Sequence, residues 1–139
     1  MIIHNRLFVL IFMTITLCPV ATWAEVTEIA PEQVRSLLES DAVVIDVRRE
    51  DEWMATGIIE NSQTATFFDK FGRFDAQRWL QQVLPRLRKD RPVVLICRTG
   101  VRSKWVATWL SENTGFGPVF NATRGIQGWL DQGHSTVAY

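Results

Sequence analysis

Four consecutive aliphatic residues, Val93-Val94-Leu95-Ile96, follow Pro92 and run straight into Cys97-Arg98-Thr99-Gly100. A strand that is apolar at every position needs cover on both faces, which is the situation of a central strand in a parallel sheet. Parallel neighbours require long crossovers, and the chain supplies helical patterns between its strand-like runs. Short strands are expected near residues 26–29, 42–47, 64–68 and 119–121. Pro31 opens a helix carrying Val34, Leu37 and Leu38 to about Ser40, and a charged stretch ending at Trp53 makes one or two helical turns before Gly57. Asp75 caps a helix with an apolar stripe of Trp79, Leu80, Val83, Leu84 and Leu87, which Pro85 kinks or ends early. A further helix over 102–113 buries Val106, Ala107, Trp109 and Leu110 and closes at Gly115, and a last short one covers 126–130. The expected fold is α/β, a mostly parallel central sheet with helices on both faces.

Fifteen Lys and Arg balance fifteen Asp and Glu. That leaves no basic surplus to bind phosphate backbones, so a nucleic-acid partner is not expected. Residues 1–24 read as a secretory signal peptide: Arg6, an apolar run over 7–17, then Thr22-Trp23-Ala24 with small residues at −3 and −1 of a cut after Ala24. The eleven-residue run is shorter than the roughly 20 apolar residues that span a bilayer. Cleavage is favoured over a retained anchor by Pro19 and the small-residue end, and it leaves no stable membrane insertion. The expectation is an exported protein of the bacterial periplasm, with residues 25–139 as one domain. Of the two cysteines, Cys18 leaves with the signal and Cys97 remains. An unpaired thiol in an oxidising compartment is a liability unless buried or used.

Cys97 follows the central strand, where ligands bind in such sheets. The segment Cys97-Arg98-Thr99-Gly100-Val101-Arg102-Ser103 then leads into a helix. Loop amides and a helix N-terminus that converge on one point favour an anion there, and Arg98 and Arg102 add positive charge, so both effects favour thiolate over thiol. Gly100 permits the positive φ that turns such amides inward. A free cysteine after an apolar run is ordinarily a small core residue. Such a residue has no need of a glycine and two arginines around it.

This loop resembles the active-site loop of the rhodanese family of sulfurtransferases, with Cys97 in the place of the cysteine that carries sulfur as a persulfide. Further similarity runs through Ile45-Asp46-Val47-Arg48 with Glu50, Trp53 and Gly57, through Ser103 to Leu110 and Gly115-Phe116, and through Arg124-Gly125-Ile126-Gln127-Gly128-Trp129, covering about residues 26–133. The chain departs from the family at Gly57-Ile58-Ile59-Glu60-Asn61-Ser62, which lacks the usual histidine and proline, and at Arg124, where the family has a glycine. Phe67, Phe68, Phe71 and Phe74 crowd a fuller segment over 67–91 and are expected in the core or packed on the loop.

The resemblance implies a rhodanese-like three-layer fold and ping-pong sulfur transfer through Cys97. The donor would be a small sulfur compound such as thiosulfate, the acceptor a thiol or cyanide-type nucleophile. Arg98, Thr99, Gly100, Val101, Arg102 and Ser103 form the binding loop, with Arg102 as its anchor and Arg98 either solvated or facing an anionic donor. Asp46 and Arg48 are expected as structural support, of small worth if the pair lies at the surface. No metal and no cofactor are expected, and His134 reads as a surface residue. A persulfide carrier serving one protein thiol partner is the alternative. A phosphatase or arsenate-handling enzyme is disfavoured, because related phosphatase loops place one more residue between cysteine and arginine. Trp53 and Trp129 read as packing anchors, and Asn121-Ala122-Thr123 fits a glycosylation sequon of little weight.

Overall fold

The computed structural model describes residues 25–139. The signal-peptide reading, with Cys18, lies outside these residues. The elements run β1 (Thr27–Ile29), α1 (Pro31–Glu39), β2 (Val43–Asp46), α2 (Glu50–Thr56), β3 (Gln63–Thr64), α3 (Ala76–Val83), β4 (Val93–Ile96), α4 (Val101–Thr114), β5 (Val119–Ala122) and α5 (Gly125–Asp131). The five strands form one sheet in the order β1-β5-β4-β2-β3, and every pairing is parallel. β4 therefore has a neighbour on each side, and its four aliphatic residues are all buried, as their unbroken apolar run requires.

Side chains alternate across the sheet with a period of two. Val93, Leu95 and Cys97 join the layer formed with α3 and α4 through Trp79, Val83, Val106, Ala107 and Leu110. Val94 and Ile96 face the other layer, with Val34 of α1 and Ile126 and Trp129 of α5. Helices thus cover both faces, and the loop after β4 leaves from the middle of the sheet at its carboxyl end. Among the described residues no helix is long and apolar enough to cross a membrane.

Several sequence expectations need correction. The strand expected over 64–68 is regular only at Gln63–Thr64, although Ala65 and Phe67 still donate N–H bonds to Asp46 and Val47 at 3.0 and 3.2 Å. The helix capped by Asp75 ends at Val83 and tightens into a 3-10 turn over Leu84–Arg86 at Pro85. α2 stops at Gly57 as expected, and Trp53 within it is buried, its ring 5.0 Å from that of Tyr139. Trp109 is only half-buried. His134 packs against Trp129 at 4.3 Å and is not a free surface side chain. Asn121 of the sequon is buried in β5.

Candidate active site

The loop around Cys97 is shaped from three sides. Gly100, at φ +91°, ends the loop and caps α4, and its left-handed backbone turns its own N–H toward the sulfur: the amide lies 3.2 Å from Cys97 Sγ. The Ser103 hydroxyl lies 3.3 Å from the same sulfur and donates to it from the first turn of α4. The first-turn N–H groups of α4, at Val101, Arg102 and Ser103, have no acceptor within the helix. Cys97 itself is 1% exposed, so the Gly100 amide and the Ser103 hydroxyl meet the sulfur with little water around it.

The backbone carbonyls of the loop are held separately. Ile126 N–H donates to the Cys97 carbonyl at 2.8 Å, and Gln127 N–H to the Arg98 carbonyl at 3.1 Å. This close docking of α5 needs Gly125, since a Cβ there would run into the Cys97 carbonyl and the Arg98 peptide. Preceding it, Arg124 takes a positive φ of 61°, so the arginine that stands for a family glycine keeps a glycine-like backbone. The Asn121 amide donates to the Gly100 carbonyl at 3.1 Å and to Glu28 at 2.8 Å.

Arg102 points away from the loop to α2, where its two terminal nitrogens reach the two carboxylate oxygens of Glu52 at 2.8 and 2.6 Å. Burial opposes ionisation of Glu52, but the bond from Arg102, the Arg49 N–H and both guanidinium charges outweigh it and hold the carboxyl at about 2. The same bond raises Arg102 above its ordinary value against its own desolvation, helped by the charges of Glu52, Cys97 and Asp46.

Asp46 and Arg48 are not a surface pair. Both are 1% exposed, with Arg48 Nη2 2.7 Å from Asp46 Oδ2. Arg48 also donates to Thr56 Oγ1 at 2.6 Å and to the Gly57 carbonyl at 2.8 Å, which pins the C-terminal end of α2 to the end of β2. The pair thereby seats the helix whose Glu52 holds Arg102. Removing one partner of such a buried pair strands a charge, at a cost of about 3–5 kcal/mol.

Arg98, Thr99 and Val101 are exposed, and Arg98 borders a cavity of about 370 Å³ with Arg49, Glu52, Ile126 and Gln127. The four phenylalanines separate. Phe67 is buried, and Phe68 is half-buried at 4.9 Å from it, but Phe71 and Phe74 are exposed because the turn closed by Asp69 and Arg73 carries them outward. Sequence reasoning missed Glu52, which reads as one carboxylate in a solvated run, and Asn121, whose sequon context draws attention outward. Spacing holds no signal for either, because their loop partners lie 50 and 21 residues away.

Chemically, the site presents an amide N–H and a hydroxyl to one enclosed sulfur atom at Cys97. Residues 30–132 match the family described as Rhodanese-like domain. A Bacillus subtilis (strain 168) protein, YtwF, which bears a provisional sulfurtransferase name, is 33% identical over 107 residues, 76% of this chain and 91% of its own length. Thiosulfate sulfurtransferase GlpE of Actinobacillus pleuropneumoniae serotype 3 (strain JL03) is 29% identical over 107 residues, covering 77% and 89%. Among solved structures, the polysulfide-sulfur transferase homodimer from Wolinella succinogenes superposes with a TM-score of 0.64 at 25% identity, covering 84% of this chain and 82% of that one.

Proposed function

This chain belongs to the rhodanese-like domain family, and from that premise we propose that it transfers sulfane sulfur through a persulfide on Cys97. The observation that carries the reading is the enclosed sulfur with its two donors, Gly100 N–H and Ser103 Oγ–H. Cys97 thiolate attacks the outer sulfur of thiosulfate, the new S–S bond forms, and sulfite leaves with the electron pair of the bond that breaks. A thiol or cyanide then attacks the outer sulfur of the persulfide, and Cys97 departs as thiolate. The two donors stabilise that thiolate at both ends of the cycle, as an oxyanion hole stabilises oxygen.

Arg102 gives both terminal nitrogens to Glu52, which leaves it poorly placed to cradle a phosphate ester and favours sulfur chemistry over phosphatase chemistry. Thiocyanate formation from thiosulfate and cyanide, measured for the wild type and Cys97→Ser, tests the reading. The wild type should turn over and the substitution should abolish it; aryl phosphate hydrolysis with no thiocyanate would instead assign a phosphatase. The N-terminal pattern supports export and cleavage after Ala24, so the mature chain in fractionated cells should begin at Glu25. A full-length membrane-bound form would overturn that assignment.

A further inference from the structure

The surface beside the Cys97 loop carries large apolar side chains that the fold leaves in water. Val101 is 75% exposed, Phe71 70%, Phe74 49% and Trp105 43%. Val101 and Trp105 stand four residues apart on α4 and share one helix face. Trp105 meets Phe74 at 4.7 Å between ring centres and the buried Phe67 at 5.5 Å, so the exposed rings rest on a packed base. Scattered surface apolar residues are ordinary, whereas Trp105 and Phe74 in contact, one helical turn from Val101 at the end of the Cys97 loop, make the kind of patch that marks an interaction site.

The charge next to this patch has a definite sign. Arg49 lines two cavities, one of about 350 Å³ with Phe68, Lys70 and Arg102, and the one that Arg98 borders. Arg49 and Arg102 are neutralised by Asp51 and Glu52. Lys70 and Arg98 make no ion pair among the described residues, and Lys70 sits 5.0 Å from the Phe71 ring. Each of the two cavities beside Arg49 therefore carries one uncompensated cation, Lys70 in one and Arg98 in the other, and Lys70 adjoins the exposed Phe71 ring.

We infer that this face docks a protein partner presenting a cysteine thiol within an acidic, apolar segment, and that this thiol accepts the sulfur. The inference rests on the sulfur-transfer reading and names the acceptor for it. A small acceptor has no use for an aromatic rim, whereas a thiol borne on a chain must bring its flanking residues against the surface to reach a sulfur as enclosed as that of Cys97. In the step, the partner thiolate attacks the outer sulfur of the Cys97 persulfide. The bond to Cys97 breaks, Cys97 leaves as thiolate with the electron pair, and the partner becomes the persulfide. No further oxidant or reductant is needed.

The test uses the protein loaded with thiosulfate and checked by mass, with three acceptors: a short synthetic peptide with cysteine between leucine and glutamate residues, the same peptide with lysine for glutamate, and cyanide. The acidic peptide should be used with a kcat/KM about tenfold above the basic one at low salt, and the gap should close at high salt. Phe71→Ser and Phe74→Ser should each slow the acidic peptide severalfold and leave the cyanide rate within about twofold, since neither ring touches the loop donors. Equal use of the two peptides, or equal slowing with cyanide, would overturn the inference while leaving sulfur transfer intact. Failure to form any Cys97 persulfide would overturn the sulfur-transfer reading and this one with it. Binding to phosphatidylglycerol vesicles that Phe71→Ser abolishes, with no peptide preference, would assign the face to a membrane instead.

Discussion

Two neighbouring segments of this surface are held by opposite means. The loop from Cys97 to Ser103 is fixed by hydrogen bonds from β5, α4 and α5, and the Cys97 sulfur is almost wholly enclosed. The segment from Phe67 to Phe74 is held by ring packing beneath and by a local turn, in which Asp69 accepts N–H bonds from Phe71 and Arg73, and its outer rings face water. The first arrangement positions one atom and tolerates little change. The second presents area, and can change its outer residues without disturbing what lies under them.

Substitutions should separate the two. The largest effect falls on the support of the loop: Arg48→Met strands the Asp46 carboxylate in the interior and should cost about 3–5 kcal/mol in urea unfolding. A loss under about 1 kcal/mol would mean that the pair does little to seat α2. Next, Ser103→Ala removes the hydroxyl donor to Cys97 Sγ; in the proposed mechanism that bond is worth about 1.5–3 kcal/mol to the leaving sulfur, so sulfur transfer should slow roughly tenfold to a hundredfold with little change in melting temperature. An unchanged rate would leave the Gly100 amide as the sufficient donor.

Glu52→Gln should have a smaller effect, about 1 kcal/mol, because solvent reaches the Arg102 pair. Its pH dependence is specific. Folding lowers the Glu52 carboxyl from 4.5 to about 2, so its contribution is complete above about pH 4.5 and is lost as pH falls toward 2. The stability difference between wild type and Glu52→Gln should follow that window, and a difference that grows on acidification would contradict the sign. At the bottom of the scale, Phe71→Ser should change stability by less than about 0.5 kcal/mol, as for an exposed side chain outside any packed site.

The same contrast explains what could be read in the sequence. β4 was legible because a strand covered on both faces has no polar position to blur the pattern, and Asp75 and Gly115 mark helix ends through local backbone chemistry. The Cys97 loop was legible for a similar reason: its glycine, arginines and serine are consecutive. Glu52 was not, because its pairing with Arg102 arises only when β2 and β4 lie side by side and bring α2 to the start of α4. The burial of Asp46 and Arg48 was equally hidden, since a charged pair two residues apart looks the same in sequence whether or not helices close over it. Phe71 reversed its expectation, and Phe74 met it only in part, stacking on Phe67 with half of its surface in water, because a hydrophobic residue shows its preference for the interior and not the turn that carries it outward.

Sulfur carried as a persulfide on Cys97 is the central proposal, and the mass of the intact protein after thiosulfate treatment tests it most directly. The wild type should gain the mass of one sulfur atom and lose it on addition of cyanide, and Cys97→Ser should gain nothing. A wild type that takes up no sulfur, or a Cys97→Ser variant that still does, would contradict it.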